Sequence, residues 1–507
     1  MKKYIKNIVP VAALLLTMGT ATSCVGDLDV TPINPNIQTG LNIDGLFNKC
    51  YANFALAGNG GANGDCDIDG IDGGTSGFIR QTFNANELPT DEAICGWGDD
   101  GIAGFCYNSY NASNPMLIGL YARITTGIAY CNQYLAEAGD QDATKLAEIR
   151  FLRAYEYFSL MDGWGNIPFT LQPLTKPERY TRAQVYEWLE QELLEIEPSL
   201  SDAKAKKSTD AGYGRVDKAA CWLLLSRLYL NAEVYTGTPQ WEKAKSYAKK
   251  VMDSSYKLNT KSVNGWSAYQ MLFMGDNGET DAAYEGIFPL LQDGLKTTSW
   301  GTTLFLLAST YDQDMHANPN NPSATNGTDQ AWGGNRARPD LVKKFFPNGN
   351  VPNLESYATA KAAGDDRALF NGVNRSLDND DVATFKSGFG VAKFTNFKTD
   401  GSAGKDATFP DADFFLMRVA EAYLNFAEAD ARINGGQTTE EGTAAINAIR
   451  KRANASTRED RGYSLNDICD EWSREFYFEG RRRMDLIRFN RYGGNVNYNW
   501  QWKAGTE

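Results

Sequence analysis

Three tryptophans of this 507-residue chain stand in polar, glycine-containing segments that lack helical periodicity. Trp97 lies in Gly-Trp-Gly-Asp-Asp, Trp300 in Thr-Ser-Trp-Gly-Thr and Trp332 in Ala-Trp-Gly-Gly-Asn. An indole ring offers an apolar face that suits the C–H face of a sugar, while nearby Asp or Asn side chains can meet the hydroxyl groups. These residues are therefore candidates for glycan binding, and packing within the loops is the alternative that composition leaves open.

Histidine and cysteine chemistry is poorly represented. His316 is the only histidine, so a Ser-His-Asp triad or a multi-histidine metal site would have to be built from one ring. A hydrolase that uses two carboxylates needs no histidine, and Asp99 and Asp100 beside Trp97 keep that class open. Seven cysteines follow residue 24 without CxxC spacing, and bridges Cys66–Cys95 or Cys95–Cys106 are only two of the many possible pairings.

The first 24 residues have the pattern of a lipoprotein leader. Lys2, Lys3 and Lys6 precede an apolar run, and Ala-Thr-Ser stands directly before Cys24. A thiol at the first mature position can carry a diacylglycerol and the freed amine a further acyl chain, so we expect a lipid-anchored protein. An ordinary secretory signal is the alternative. The apolar run is shorter than the ~20 residues that cross a bilayer.

The composition indicates a large folded protein with an acidic surface. Hydrophobic residues make up 42% of the chain and aromatic residues 12%, which is ample for a large core. The formal net charge is −13, and removing the three leader lysines makes the chain more acidic. Nucleic acid and anionic lipid head groups are therefore not expected to be partners.

Apolar periodicity predicts helices near both ends of the chain. Residues recur at three- and four-residue spacing in 151–161 and 416–427, and a pair of helices is predicted in 216–254, with the second restarting at Thr238-Pro239. The pair has the size of a degenerate tetratricopeptide unit. Five tryptophans fall in helical or motif segments, where core packing is the better interpretation: Trp164, Trp188, Trp222, Trp241 and Trp472.

We divide the chain into a removed leader, a tether and one domain. Residues 58–111 and 257–410 are rich in Gly, Asn, Asp, Thr and Pro, and long loops of this kind are usually functional. The predicted boundaries are 1–23 for the leader, 24–36 for the tether and 37–507 for the domain, with a mostly α-helical scaffold from about 37–57, 115–256 and 411–490.

Four motifs, in this order along the chain, resemble the RagB/SusD family. They are RFLRAY (150–155) running into GWGNIP (163–168), LMRVAEAYLNFAEA (416–429), INAIRKRA (446–453) and EFYFEGRRRMDLIR (475–488). The resemblance covers nearly the whole chain and is greatest to the starch-binding member. Two features depart from the family pattern: the chain ends at Glu507, before the tail expected of relatives, and the loops at residues 318–335 differ from those of other members.

The resemblance implies a SusD-like α-helical fold with tetratricopeptide-type helix pairs, carried by an outer-membrane, cell-surface lipoprotein. It further implies a noncatalytic glycan-binding protein that captures starch or malto-oligosaccharides and passes them to a SusC-like, TonB-dependent transporter. No cofactor is required. A glycoside hydrolase acting on α-glucan, or a helical scaffold or adhesin without glycan binding, is the alternative.

Site residues are carried over from the same resemblance. Trp97, Trp300 and Trp332 match an aromatic arc that suits a coiled α-1,4-glucan, and Arg80 and Asp100 match positions that hydrogen-bond glucose hydroxyls. Asp100 replaces an amide, so it keeps only an acceptor role. The resemblance also implies a structural calcium site at two carboxylates, Asp411 and Asp413.

Two further charged motifs have structural interpretations. Residues 65–70 fit the opening of an EF-hand loop, but Ser76 stands where a bidentate Glu is required, which favours a polar turn. The basic run at 481–488 is interpreted as scaffolding, with ion pairs Glu479–Arg483 and Arg481–Asp485 predicted four residues apart on a helix.

Overall fold

The computed structural model describes residues 42–63, 66–139, 142–318, 321 and 324–493. The chain divides into two units, Met1–Leu46 and Phe47–Glu507, and the described part of the first unit is only the start of a helix. The predicted leader, the predicted lipidation site Cys24 and the predicted tether lie outside the described residues. Within the described ranges, no helix combines the length and the apolar composition needed to cross a membrane.

Sixteen α-helices dominate the described chain, so the mostly α-helical architecture is confirmed. They are α1 Ile43–Ala52, α2 Phe78–Asn86, α3 Ile102–Cys106, α4 Pro115–Glu137, α5 Ala143–Trp164, α6 Arg182–Ile196, α7 Lys218–Leu230, α8 Ala232–Thr236, α9 Trp241–Met252, α10 Thr303–Ala308, α11 Pro339–Lys343, α12 Ser356–Ala363, α13 Val419–Ile433, α14 Glu440–Arg452, α15 Leu465–Phe476 and α16 Arg482–Arg488.

Eight short strands form four separate two-stranded antiparallel sheets in the described chain. They are β1 Ala93–Cys95 with β5 Asn335–Ala337, β2 Ile167–Phe169 with β3 Glu178–Tyr180, β4 Gly286–Leu290 with β8 Phe414–Arg418, and β6 Phe370–Asn371 with β7 Gly390–Val391. The β1–β5 pair positions two of the predicted tryptophans, because its register places Cys95 opposite Asn335 and so aligns the loops that carry Trp97 and Trp332.

The predicted helix pair is formed by α7 and α9. Helix α7 begins where the Asp217 carboxylate accepts hydrogen bonds from the first backbone N–H groups of the helix. The following short helix α8 ends at Gly237, whose φ of +77° is the left-handed conformation that glycine adopts without strain. Helix α9 therefore begins at Trp241, beyond the predicted restart at Thr238-Pro239, and it packs against both α7 and α13.

A buried network of ion pairs joins the C-terminal helices to β8 and to the segment before β4. Arg418, at the end of β8, contacts Glu475 of α15 at 2.6 Å and Glu285 at 3.1 Å. Arg452 of α14 contacts the same two carboxylates. All four side chains are inaccessible to solvent. Arg482 and Arg488 of the basic run likewise pair with the buried carboxylates of Asp91 and Glu428, so the run serves the scaffold.

One of the two predicted ion pairs near the C-terminus is wrong. Arg481 contacts Asp485 at 3.0 Å as predicted, but Glu479 contacts Arg418 at 2.7 Å and Arg483 contacts Asp162 at 2.7 Å. Helix α16 begins only at Arg482, so Glu479 lies outside the helix, and the i,i+4 relation that places two side chains on one helix face does not exist there.

The seven cysteines after residue 24 are free thiols in this structure. Cys95 and Cys106 are neighbours, with the Cys106 Sγ 3.4 Å from the Cys95 backbone nitrogen, but they are not bridged. Burial raises the pKa of Cys221 well above the value of an exposed thiol. Buried thiols of this kind are unreactive and behave as small apolar side chains.

Candidate functional site

Pairing of β1 with β5 brings Trp97 and Trp332 together from positions 235 residues apart in the chain. Beyond the last paired residues, the Gly96 N–H donates to the Gly334 carbonyl at 3.2 Å. On the other side, the Trp332 N–H donates to the Ala308 carbonyl at the end of α10 at 2.7 Å. The two tryptophan loops are thus fixed by backbone hydrogen bonds, which do not depend on side-chain identity.

The three predicted tryptophans form one continuous row, which we call the tryptophan platform. The ring centroid of Trp332 lies 6.3 Å from that of Trp97 and 6.2 Å from that of Trp300. The ring planes of these two pairs are inclined by 50° and 43°. All three side chains are half-buried, so part of each ring stays accessible. The row therefore has a central ring, Trp332, and bends at each contact.

Other groups support the platform from below. Phe305 packs edge-on against Trp97 at 6.1 Å, and Phe409 packs against Trp300 at 5.0 Å. The Trp300 indole N–H donates to the Ala62 carbonyl at 3.0 Å, and the Trp332 indole N–H donates to Gln330 Oε1 at 2.8 Å. Because these two N–H groups already have partners, the rings are oriented before any ligand arrives.

Arg80 lies beneath the platform. Its guanidinium carbon is 5.6 Å from the ring centroid of Trp97 and 5.3 Å from that of Phe305, and Nη1 donates to the Gly74 carbonyl at 3.1 Å. Only 8% of the residue is exposed, and this burial lowers the pKa of the guanidinium, which remains a cation at neutral pH. Arg80 therefore holds Trp97 in place through a cation–π contact.

Asp100 occupies a different position from the other predicted residues. It is exposed in the turn between Trp97 and α3. Within the described ranges, no hydrogen bond or ion pair of its side chain connects it to the platform. Asp99, beside it, is close enough to Arg80 for its negative charge to raise the pKa of that guanidinium against the effect of burial. The structure thus groups the tryptophans with Arg80, and it leaves Asp100 at the edge.

Gly334 is a position where the platform tolerates no side chain. A Cβ added there would lie 2.1 Å from Cε2 of Trp97. We expect Gly334→Ala to displace the Trp97 ring and to weaken glycan binding by roughly tenfold, about 1.4 kcal/mol, in titration calorimetry. Gly98→Ala is the matched control, because a Cβ at Gly98 meets nothing within 4 Å. Equal affinities of the two variants would contradict this account of Gly334.

The predicted calcium residues Asp411 and Asp413 lie in the wall of a separate cavity of about 460 Å³. Asp411 accepts backbone N–H groups of Gly294 and Lys405, each at 2.9 Å, while Asp413 accepts the backbone N–H of Gln292 and the Tyr213 hydroxyl, each at 2.7 Å.

Oxygen ligands suit calcium, but the ion takes six to eight of them. Asp276, on the same wall, keeps one buried carboxylate oxygen without a hydrogen-bond partner. Among the described residues, no three Asp, Glu, His or Cys side chains lie close enough together to hold a metal. The carboxylates do not complete a calcium site by themselves, and calcium stays a prediction.

Burial raises the pKa of Asp413 to about 7, although the hydrogen bonds from Gln292 and Tyr213 favour its charged form. A carboxyl whose pKa is higher in the folded state stabilises the fold below its unfolded pKa and loses that contribution as the pH rises through its folded pKa. We expect Asp413→Asn to gain stability relative to wild type between pH ~4 and ~7, by at most about 1.4 kcal/mol per pH unit.

Denaturant unfolding at several pH values, with a chelator present, measures this difference. A difference that does not change with pH would contradict the raised pKa. Repeating the measurement with added calcium tests the metal prediction at the same time. Calcium is expected to raise the melting temperature of wild type and to leave Asp413→Asn unchanged, because binding to the folded state alone is stabilising.

The EF-hand alternative receives no support from the geometry of its described part. Asp67 contacts Arg123 at 2.8 Å and Lys49 at 2.9 Å, and these cations lower its pKa although burial alone would raise it. Because two cations already neutralise this carboxylate, its role is to stabilise the loop and not to bind calcium. The polar-turn interpretation of residues 65–70 is therefore the better one, and Asp65 lies outside the described residues.

Sequence reasoning did not identify several supporting residues of the platform. Phe305, Phe409, Gln330 and Gly334 all contact its rings, yet each reads as an ordinary loop or core residue in the sequence. The only available signal was the Gly-Gly pair directly after Trp332, which indicates a close approach of backbone and ring. The glycine pair did not indicate that the ring in question is that of Trp97.

A helical scaffold whose loops display a bent row of half-exposed rings is a binding protein by its geometry. Comparison with known proteins then identifies the group to which this binding protein belongs.

A model of the SusD family matches residues 358–506. The starch-binding protein SusD of Bacteroides thetaiotaomicron is 39% identical, over 99% of this chain and 94% of that protein. The chain belongs to the SusD family. Membership confirms the expectation that the protein is not an enzyme, because the family consists of binding proteins.

Solved structures agree with the fold. A laminarin-binding SusD-like protein superposes with a TM-score of 0.63 at 19% identity, covering 92% of this chain and 97% of that one. Surface glycan-binding protein A from Bacteroides uniformis gives a TM-score of 0.64 at 22% identity, covering 91% of each chain. At these identities the likeness extends to the fold alone, and it confirms the SusD-like helical architecture.

Proposed function

We propose that this protein captures starch or malto-oligosaccharides, as α-1,4-glucan, on the tryptophan platform without cleaving them. The observation that carries the proposal is the bend of the row, with ring planes inclined by 50° and 43° at successive contacts. The relationship to a starch-binding protein over nearly the whole chain gives independent support.

The bend selects for ligand shape. Successive glucose units of an α-1,4-glucan turn as the chain coils, so their C–H faces follow a curved surface, whereas a β-1,4-chain is flat and would stack on one ring at a time. Each ring supplies an apolar face to one sugar, and Arg80 keeps Trp97 at the angle this requires. Asp100, at the edge, is proposed to accept hydrogen bonds from sugar hydroxyls.

Affinity for a polymer does not require a tight single site. Three stacking contacts are individually weak, but a long chain presents the same repeat many times, and anchored copies of the protein can hold one polymer together. We therefore expect the dissociation constant for a short oligosaccharide to be much higher than the apparent constant for soluble starch on a surface coated with the protein.

Calorimetry with a panel of α- and β-glucans tests the proposal. Wild type is expected to bind cyclic and helical α-glucans far more tightly than cellulose-type oligosaccharides, and the triple variant Trp97→Ala, Trp300→Ala, Trp332→Ala is expected to lose this preferential binding. Binding of β-1,4-glucans with equal affinity would overturn the choice of ligand. Failure to bind any glycan would favour the scaffold or adhesin alternative.

Labelled maltoheptaose separates capture from cleavage. Asp99 and Asp100 stand next to the platform in the chain, so a carboxylate-based hydrolysis would have its candidates there. We expect the oligosaccharide to be recovered intact after prolonged incubation with purified protein. Turnover that disappears in an Asp99→Asn, Asp100→Asn double variant would contradict the noncatalytic proposal.

The proposal extends to location and partner. Cys24 is proposed to carry the lipids that hold the protein at the outer-membrane surface, from which the glycan passes to a SusC-like, TonB-dependent transporter. The leader pattern supports the anchor, and family membership supports the partner. Cys24→Ala is expected to release the protein from the membrane fraction and to abolish its acyl modification in mass spectrometry. An unmodified Cys24 in the wild-type protein would contradict the anchor.

A further inference from the structure

A cavity of about 200 Å³ lies apart from the tryptophan platform, between α2, α4, α5 and the C-terminal helices. Helix α2 separates the two sites. Phe78 and Thr82 of this helix face the cavity, whereas Arg80 of the same helix faces Trp97 and Phe305. The platform tryptophans do not line the cavity, so a ligand in one site would not contact the other.

The mouth of the cavity is polar and accessible. Asn86, Ser159 and Asp162 are half-buried lining residues, and Gly163 beside them is exposed. Arg483 spans this mouth, since its Nε donates to Asn86 Oδ1 at 2.9 Å and its Nη2 donates to Asp162 Oδ2 at 2.7 Å. The charges at the mouth are therefore paired, while Asn86 and Asp162 keep further lone pairs for hydroxyl donors.

A second ion pair lies at the inner end. Arg227 donates to both carboxylate oxygens of Glu421, at 2.6 and 2.7 Å, and Arg481 approaches the same carboxylate at 3.4 Å. The lining contains three basic and three acidic side chains: Arg227, Arg481, Arg483, Asp162, Glu421 and Glu479. Their charges balance, so the cavity offers no net attraction to a charged ligand.

Aromatic side chains form the walls between these two polar ends. Phe105 and Tyr110 pack together at 4.9 Å, Trp164 packs edge-on against Tyr121 at 5.4 Å, and Phe158 completes the wall. Apolar walls with a few convergent polar groups are the usual build of a small-molecule site. The volume far exceeds the ~30 Å³ that one water occupies, and an unfilled space of this size would forfeit packing contacts.

We propose that this cavity binds a neutral, hydroxyl-bearing ring compound, such as a monosaccharide or the end unit of a short oligosaccharide. The aromatic walls would contact the C–H faces of the ring, and the paired side chains at both ends would exchange hydrogen bonds with its hydroxyls. The charge balance disfavours uronic acids and amino sugars. This second site is independent of the proposed function of the platform, because it shares no residue with it.

The test uses the triple tryptophan variant, so that the platform cannot contribute. Saturation-transfer NMR with glucose and maltose as probes is expected to show contact with this variant. The contact is expected to disappear when Ser159→Trp or Ala85→Phe is added, since both residues line the cavity, and to persist with Ser159→Ala as the matched control. Melting temperatures of all variants report whether each one is folded.

The proposal would be overturned if the triple variant, without a cavity-filling substitution, showed no contact with glucose or maltose. It would also be overturned if the contact survived both cavity-filling substitutions. Contact with glucuronate or glucosamine equal to that with glucose would overturn the assignment of a neutral ligand. Should both cavity-filling variants fail to fold, a crystal of the wild type soaked in maltose decides, and a sugar found only on the platform overturns the proposal. Failure of the proposed platform function would be seen differently, because wild-type protein would then not bind maltoheptaose.

Discussion

Replacing Trp332 with alanine is expected to weaken maltoheptaose binding by about 2 kcal/mol, or roughly 30-fold in Kd, more than the same change at either neighbour. Trp332 is the central ring and contacts both Trp97 and Trp300. Its removal would therefore delete one stacking surface and also leave the other two rings without the neighbour that sets their inclination. Titration calorimetry measures the change.

Trp332→Phe is the control for this prediction, because it keeps an aromatic face at the centre. We expect it to retain most of the affinity. A larger loss at Trp97 or Trp300 than at Trp332 would show that the centre of the row is not where the glycan is held. The melting temperature of Trp332→Ala is expected to change little, since the residue is only half-buried.

Arg418→Ala is expected to lower the free energy of unfolding by about 3–5 kcal/mol, because it leaves buried carboxylates without their partner. Arg418 contacts Glu475, Glu285 and Glu479, and these side chains are almost completely buried. Burial alone would raise the pKa of Glu475, but the guanidinium groups of Arg452 and Arg418 lower it to about 2.

Urea unfolding measures the loss, and its pH dependence provides a second readout. A depressed carboxyl pKa stabilises the fold above the unfolded value near 4.5 and loses that contribution as the pH falls towards 2. The difference between wild type and Arg418→Ala is therefore expected to shrink in acid. Lys451→Ala is the control, since its contact with Glu459 is exposed and 3.9 Å long. Equal effects of the two substitutions would contradict the role of the buried network.

The sequence was sufficient to predict the platform residues but not their support. Trp97, Trp300 and Trp332 could be singled out because they stand in polar, glycine-containing segments without helical periodicity, and the family resemblance then grouped them. The burial of Arg80 could not be predicted, because it depends on how α2 is oriented towards Phe305. Helix α2 itself lies in a segment whose composition resembles a loop, and no side-chain cap marks its start.

Helix boundaries explain the remaining errors. The pair α7 and α9 was predictable from apolar spacing, but the short helix α8 and its glycine end displaced the start of α9 to Trp241. Glu479 was assigned to a helix because the basic run after it has helical spacing. In the structure Phe478 and Gly480 both have positive φ, which interrupts the backbone immediately before α16 and redirects Glu479 towards Arg418 and Lys393.

The rings of the platform come from three stretches of chain that are remote from one another, and main-chain bonds such as the one between Gly96 and Gly334 hold two of those stretches in register. Substitutions in one stretch can therefore change a single ring while the main chain of the other stretches keeps its position. A duplicated gene could therefore acquire substitutions of the aromatic residues one at a time, while the rest of the binding protein stays intact. Preference for a different polysaccharide would then evolve by small steps, with the helical frame left intact.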